Sequence, residues 1–281
     1  METAIIAKCR MEDRMKLRTS VGTLVPSSFL KKDGSRTDPR ISYFPSGELK
    51  SVTLEESAFI KTSVGVFSSE RVAFYRSGKL RKIFPQTGFP GRNSSGAVDI
   101  DTLAGTINVE PEYLQFYETG EIKRIVFQPS EVVELYTPAG MIKARKGVFF
   151  HRNGTVARCE PAAETIVQTP IGRITAYNPD PESSLVGGET LAFNEDGRLT
   201  SVCTVKNIIV QNPGSSNERL LSPDTIQSYC DEDSYILLPL NIRFEGGYTT
   251  CENMSGIHVL ATGAGMTCIK SYMPDKKNFR H

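Results

Sequence analysis

Residues that could carry out catalysis occur in this 281-residue sequence without the spacings that catalytic sites require. The three histidines form no HExxH motif, and neither a glycine-rich phosphate loop nor a GxSxG nucleophile motif is present. Of the six cysteines, the closest two, Cys251 and Cys268, are 17 positions apart, so the CxxC pairs typical of zinc sites are absent. We therefore expect neither a metal nor a cofactor.

One pairing near the C-terminus could still support chemistry. Cys251 precedes His258 by seven positions, and a thiol beside an imidazole is the arrangement of a nucleophilic cysteine site. The acidic residues Asp231, Glu232 and Asp233 come shortly before this pair, and a solvated loop is their simplest interpretation. The alternative function is therefore an enzyme, or a binder of small ligands or carbohydrates, with its site in this divergent region. The absence of tryptophan disfavours carbohydrate binding.

A turn pattern centred on glycine recurs five times along the chain. Around Gly47, Gly78, Gly120, Gly154 and Gly197 the sequence reads PSGE, RSGK, ETGE, RNGT and EDGR. An aromatic residue lies four positions before each glycine and an aliphatic one six before, the period of two that marks a half-buried strand. Each copy is therefore predicted to be a β-hairpin with a two-residue turn, here called an aromatic hairpin. The aromatic residues, which we expect in the core, are Tyr43, Phe74, Phe116, Phe150 and Phe193.

The returning strand of each aromatic hairpin breaks the strict alternation. Apolar residues follow the glycine at two and at five positions, and two residues three apart cannot both face the core of a regular strand. A β-bulge between them would bring both to the same side. We expect such a bulge in several copies.

A second pattern, Thr-x-x-Gly, alternates with the first. Its copies, here called threonine hairpins, are TSVG at 19–22, TSVG at 62–65, TLAG at 102–105, TPAG at 137–140 and TPIG at 169–172. An apolar residue lies two positions after each glycine and another five positions before it. The threonine side chain is expected to bond the backbone of its own turn, with glycine in the left-handed conformation, and to have no catalytic role.

The alternation of the two patterns predicts the organisation of the chain. Residues 15–205 would hold five repeats of four short strands, with surface insertions at 26–39, 85–96 and 178–190. Residues 1–14 are predicted to be an N-terminal cap strand, and 206–281 a divergent sixth repeat with a C-terminal cap. Within this last part, 218–227 is expected to be a short helix or loop, and 235–243 and 256–261 to be strands.

The predicted fold class is all-β, with tandem antiparallel hairpins that form an elongated, twisted sheet or solenoid. A propeller of five or six blades is the alternative. Propeller blades need about 40 to 45 residues each, which is more than these repeats provide outside their insertions.

A row of five residues offers a candidate binding surface. Three positions before each hairpin glycine lie Phe44, Tyr75, Tyr117, His151 and Asn194. These residues alternate with the core aromatic residues and so point to the opposite face of the sheet. If that face is open, the row is a surface for a partner. In the competing interpretation, a second layer or the threonine hairpins cover it.

The aromatic hairpins YFPSGELKSV, FYRSGKLRKI and FYETGEIKRI resemble the variant MORN repeats of bacterial YwqK-like proteins, a family associated with antitoxin components. The resemblance covers about 12 residues in each copy. It implies β-hairpins stacked into a long antiparallel sheet that serves as an interaction module. This sequence differs from the family in its longer period, its intercalated threonine hairpins, and the missing second glycine with its following tryptophan.

Composition and charge limit the classes of partner. The chain has 33 basic and 32 acidic residues, so no overall field would attract nucleic acid or an anionic membrane. No apolar run reaches the length of a membrane span, and the first residues are too charged for a secretory signal. We therefore predict a cytoplasmic protein with reduced thiols. The predicted function is that of a non-catalytic scaffold that binds another macromolecule, a protein rather than nucleic acid.

Overall fold

The computed structural model describes residues 15–27, 40–86, 96–179, 190–211, 218–227, 235–254, 256–261 and 267–272. All regular secondary structure in these ranges is β-strand. In this part of the chain, accordingly, there is no apolar helix of the length that a membrane crossing requires. The prediction of an all-β fold rich in antiparallel hairpins is confirmed.

The strands follow one another at short intervals. In chain order they are β1 Leu17–Thr19, β2 Gly22–Leu24, β3 Ile41–Tyr43, β4 Leu49–Thr62, β5 Gly65–Phe74, β6 Leu80–Pro85, β7 Val98–Thr102, β8 Gly105–Val109, β9 Pro111–Phe116, β10 Ile122–Phe127, β11 Val132–Thr137, β12 Gly140–Phe150, β13 Val156–Pro161, β14 Thr165–Thr169, β15 Gly172–Ala176, β16 Leu191–Phe193, β17 Leu199–Thr204, β18 Asn207–Gln211, β19 Glu218–Leu221, β20 Asp224–Gln227, β21 Tyr235–Leu238, β22 Leu240–Glu245, β23 Tyr248–Asn253, β24 Gly256–Ala261 and β25 Thr267–Tyr272.

The chain divides into two compact units. The first comprises residues 1–102 and 108–128, and the second comprises 103–107 and 129–281. In the first unit the main sheet has the strand order β10-β9-β6-β5-β4-β3, and β1 pairs with β2. In the second unit the order is β24-β23-β22-β17-β16-β13-β12, with β11 paired to β12. Smaller sheets there are β14-β15, β19-β18-β25 and β20-β21.

All five aromatic hairpins contain the predicted bulge. The cross-strand register skips one residue, three positions after the glycine, in every returning strand; the skipped residues are Lys50, Arg81, Lys123, Ala157 and Thr200. The residues five positions after the glycine are consequently buried in every copy; they are Val52, Ile83, Ile125, Cys159 and Val202. Two positions after the glycine, Ile122 and Val156 are buried, and the leucines of the other three copies are half-buried. The bulge therefore turns this position and the one five after the glycine toward the same side.

The predicted two-residue turn of these hairpins is wrong by one residue. In the first copy, the Phe44 amide donates to the Glu48 carbonyl at 2.8 Å and the Gly47 amide donates to the Phe44 carbonyl at 2.9 Å. The same two bonds recur in the other four copies, so three residues form each loop. Only the glycine has a positive φ, 97° at Gly47. A three-residue loop needs the left-handed conformation at glycine alone and leaves Ser46 unstrained.

The threonine hairpins close as expected. Thr62 Oγ1 donates to the Gly65 carbonyl at 2.8 Å and accepts from the Val64 amide at 3.2 Å. The turns that begin at Thr19, Thr137 and Thr169 have the same pair of bonds. In the remaining copy β7 pairs with β8. The repeated hydroxyl therefore stabilises the turn in these four copies.

Four of the five predicted core aromatic residues are buried, and one is not. Phe74, Phe116, Phe150 and Phe193 are each at most 4% exposed. Tyr43 is 51% exposed, which corrects the prediction. It lies on β3, the last strand of the first unit's sheet, so only β4 covers it from the side. Position at the sheet edge, rather than the local pattern, decides its exposure.

The two kinds of hairpin pack through their turns within each unit. In the first unit, Ser20 Oγ donates to the Gly78 carbonyl at 2.7 Å. In the second unit, a Cβ at Gly154 would come within 2.7 Å of Leu103 Cδ1, and one at Gly197 within 3.3 Å of Pro138. Each of these contacts comes from the residue that directly follows the turn threonine, namely Ser20, Leu103 or Pro138. In each case this residue contacts the turn of an aromatic hairpin.

The C-terminal region departs from one prediction. Residues 218–227 form neither a helix nor a loop but two strands, β19 and β20, which pair with β18 and β21. These strands are four residues long, too short for their pattern to show without knowledge of their partners. The predicted strand at 235–243 is divided at Pro239 into β21 and β22, and the one at 256–261 is confirmed as β24.

Several predictions fall on other parts of the chain. The cap strand at 1–14 and the insertion segments 28–39, 87–95 and 180–189 lie outside the described residues. The grouping into five repeats, with a divergent sixth and a cap at 206–281, stays a prediction.

Candidate binding face

The five residues of the predicted binding row are all half-buried. Each begins the turn of an aromatic hairpin. The Tyr75 hydroxyl donates to the Phe116 carbonyl at 2.8 Å, and Nε2 of His151 lies 2.8 Å from the Phe193 carbonyl. A carbonyl only accepts, so Nε2 is the donor. These two residues thus join neighbouring hairpins and do not belong to a bare stripe, while binding by the row stays a prediction.

In the first unit, a cation lies over the ring of each row residue. Lys50 Nζ is 6.0 Å from the Phe44 ring centre, and Lys123 Nζ is 5.2 Å from the ring centre of Tyr117. The guanidinium carbon of Arg81 is 5.9 Å from the Tyr75 ring centre. All three cations are the extra residues of the bulges. Because a bulge redirects the side chain of its extra residue, it can turn the cation toward the ring at the start of the turn.

A second set of such pairs lies on the strands behind the turns. The Arg71 guanidinium carbon is 3.8 Å from the ring centre of Phe84, its direct cross-strand partner. Lys82 Nζ is 4.0 Å from the ring centre of Tyr113, and the Tyr113 hydroxyl accepts from Arg124 Nη1 at 3.3 Å. The two rings also contact each other, with their centres 5.7 Å apart.

Together these residues make up what we call the cation–aromatic face. Its members are Phe44, Lys50, Arg71, Tyr75, Arg76, Arg81, Lys82, Phe84, Tyr113, Tyr117, Lys123 and Arg124. Arg76 joins neighbouring hairpins, since its guanidinium carbon is 5.5 Å from the ring centre of Phe44 on the preceding one. All twelve residues belong to the first unit.

Positive charges repel one another at the centre of this face. Burial lowers the pKa of the Lys82 ammonium below its usual range. The pKa is lowered further by three neighbouring guanidinium groups, those of Arg81, Arg124 and Arg71, while the Glu112 carboxylate opposes the shift. Among the described residues, neither Lys82 nor Arg71 forms an ion pair with an acid. A surface region with several charges of one sign attracts groups of the opposite charge.

The corresponding positions of the second unit carry different residues. His151 and Asn194 take the place of the aromatic ring, and the bulge residues are Ala157 and Thr200. The ring positions were predicted from the sequence, whereas the pairing of a cation with each ring was not. The signal was present: three positions after the glycine, a lysine or arginine occurs in the first three copies and in neither of the last two.

The second unit contains a buried carboxylate that has a structural role. Glu160 is 4% exposed and accepts from the Thr190 hydroxyl at 2.7 Å and from the Thr190 amide at 3.2 Å. Nη2 of Arg145 lies 3.6 Å from its other oxygen and donates to the Asn178 carbonyl at 2.5 Å. Burial raises the pKa of Glu160, and the bonds from Thr190 and the charge of Arg145 only partly offset it.

The alternative catalytic pair is brought together, but its thiol is inaccessible. Cys251 and His258 are direct cross-strand partners on β23 and β24. Cys251 is completely buried, and Nδ1 of His258 accepts from Arg219 Nη2 at 2.7 Å. A buried thiol cannot reach a substrate without local opening of the sheet. The acidic residues Asp231, Glu232 and Asp233 lie outside the described residues.

Two other cysteines are inaccessible for the same reason as Cys251. Cys159, Cys203 and Cys251 are buried free thiols, and burial raises the pKa of Cys159 to about 12.

The described ranges hold no group of three or more histidine, cysteine, aspartate or glutamate side chains that could hold a metal ion. A groove of about 500 Å³ in the first unit is lined mainly by turn residues, including Ser20, Ser63 and Thr119.

No family model, curated protein or solved structure matches this chain. The function must therefore be inferred from the chemistry of the cation–aromatic face itself.

Proposed function

We propose that this protein is a non-catalytic β-hairpin scaffold that binds another protein through the cation–aromatic face. The observation that carries this proposal is the repetition of one pair, a ring before the turn and a cation on the bulge, in three successive hairpins. The hairpins of the second unit fold with the same bulges but without this pair, so the pair is not needed to form a hairpin. A feature that folding does not require is available for recognition.

The chemistry of the face favours an acidic partner segment. Guanidinium and ammonium groups form charge-assisted hydrogen bonds with carboxylates, and the half-buried rings supply apolar contact area beside them. Glu48, Glu112 and Glu118 border the same hairpins and, with a formal net charge of +1 for the whole chain, weaken any long-range attraction for nucleic acid. A protein partner therefore fits better than a nucleic acid.

The resemblance of the hairpins to variant MORN repeats supports the same proposal, because it implies an interaction module. Arrangement of the repeats as an open array rather than as a propeller is a further part of the proposal. An open array would leave the turns of successive hairpins accessible to one long partner.

Affinity capture from a native lysate, followed by mass spectrometry, tests the proposal. We expect the wild-type chain to retain a protein that the triple variant K50E/R81E/K123E does not retain. The matched control is K143E/R173E/R198E, which reverses three exposed charges of the second unit and should leave capture unchanged. Circular dichroism spectra that superimpose for all three proteins would show that folding is intact. Equal capture by the wild type and the triple variant would refute the proposal.

A further inference from the structure

The spacing between the three ring–cation pairs limits the backbone conformations of a segment that could contact all three. Its three ring–cation pairs belong to the hairpins β3–β4, β5–β6 and β9–β10, which are consecutive in the first unit's sheet. Neighbouring strands lie about 4.8 Å apart, so equivalent positions on successive hairpins repeat about every 9.6 Å. A segment that crosses the three turns must offer one acidic group at each such interval.

Few backbone conformations provide that interval on one side. In an extended strand, side chains on one side repeat about every 6.7 Å, which is out of step with the pairs. In an α-helix the nearest match is seven residues, about 10.5 Å. A polyproline II helix has three residues per turn and rises about 3.1 Å per residue, so every third side chain lies on the same side about 9.3 Å from the last. This is the closest match of the three.

Building on the proposed function, we propose that the partner segment is an acidic polyproline II helix with a carboxylate at every third residue. Its carboxylates would bind Lys50, Arg81 and Lys123 in turn. The intervening residues, prolines above all, would pack on Phe44, Tyr75 and Tyr117, because proline-rich helices dock onto aromatic rings. Their preformed backbone keeps the entropic cost of binding low.

Fluorescence anisotropy with the full chain and labelled peptides tests this inference. The probe is (Glu-Pro-Pro)4, and its composition-matched control is a block of four glutamates followed by eight prolines. We expect the periodic peptide to bind more than about tenfold tighter than the block peptide, and its affinity to fall as salt is raised. The variant K50E/R81E/K123E should abolish binding, K50Q/R81Q/K123Q should weaken it, and K143E/R173E/R198E should leave it unchanged.

The outcomes separate this inference from the proposed function. Equal binding of the two peptides would overturn the inference, because the face would then recognise charge without periodicity. Preferential binding of a 12-nucleotide oligo(dT), lost in the triple variant, would overturn it in favour of nucleic acid. If no acidic peptide binds while lysate capture still depends on the three cations, the inference fails and the proposed function stands. If capture is also independent of them, both fail.

Discussion

The two units use the same bulged hairpin but place their positive charges differently. In the first unit, lysines and arginines lie over aromatic rings, and Lys82 and Arg71 form no ion pair with a described acid. In the second unit, several cations face carboxylates. These pairs are Lys143–Glu134, Arg145–Glu160, Lys206–Glu164 and Arg243–Glu252. Cation–ring contacts also occur in the second unit, where Arg145 lies over Tyr177 and Arg158 over Phe149, so what distinguishes that unit is the pairing of its cations with carboxylates.

This difference separates two kinds of position within one hairpin. Residues six and four before the glycine, and two and five after it, face the core and keep their apolar character in nearly every copy. The residue that begins the turn and the bulge residue make few core contacts, so they can vary without loss of the fold. Binding can therefore be added to some hairpins of a series while the others remain structural.

The largest expected effect is the difference between two losses of stability, one caused by removing a charged group of the second unit and the other by removing a charged group of the first. Glu160→Ala leaves Arg145, which is largely buried, without its carboxylate, and breaking such a pair costs about 3 kcal/mol. Arg71→Ala removes a cation–ring contact worth about 1 kcal/mol or less. Urea unfolding followed by circular dichroism measures both, since the chain has no tryptophan. Equal losses would show that charge is as structural in the first unit as in the second.

The next largest expected effect is the difference in thiol reactivity between the folded and the unfolded protein. In a variant with Cys9, Cys230 and Cys268 replaced by serine, the remaining thiols Cys159, Cys203 and Cys251 are all buried. We expect them to react with a disulfide reagent more than about a hundredfold more slowly than in the urea-unfolded chain. Rapid modification of Cys251 in the native protein would instead favour the catalytic alternative with His258.

The smallest expected effect is a difference in how the two units respond to pH. Burial raises the pKa of Glu160, so the folded second unit holds its proton more tightly than the unfolded chain does, and stability falls as pH rises from about 4.3 through the raised pKa. Lys82 has a lowered pKa, so stability of the first unit rises with pH between that pKa and about 10.4.

Urea unfolding of Glu160→Gln and Lys82→Gln at a series of pH values isolates these two groups. Each substitution should remove its own slope relative to the wild type, with opposite signs in the two pH ranges. A wild-type slope that persists in Glu160→Gln would mean that another group of the second unit titrates in the acid range.

Much of the fold could be predicted because its signals are local. A hairpin joins residues within about a dozen positions of one another, so its alternation, its glycine and its bulge are all readable from one short segment. The threonine turns are equally local, since Thr62 bonds residues only two and three positions away. The missed loop length is a smaller error of the same kind, because two-residue and three-residue turns both require glycine in the left-handed conformation.

The candidate site was predictable only in part. Phe44, Tyr75 and Tyr117 were identified from their alternation with core residues. The half-burial of these rings and the bond from Tyr75 to the next hairpin depend on neighbours that are distant in sequence. Burial of Cys251 is likewise a property of the tertiary structure, since its cross-strand partner Ile242 on β22 is completely buried too and pairs in turn with Val202 on β17.

The sequence by itself determined the hairpins, their bulges and the residues that begin each turn, because hydrophobic alternation and turn chemistry act over a few bonded neighbours. Tertiary structure alone decided which strand became an edge, which cations met rings, and which met carboxylates. Those outcomes depend on the pairing of strands from separate hairpins, and the free energy of such pairing resides in contacts between residues far apart along the chain.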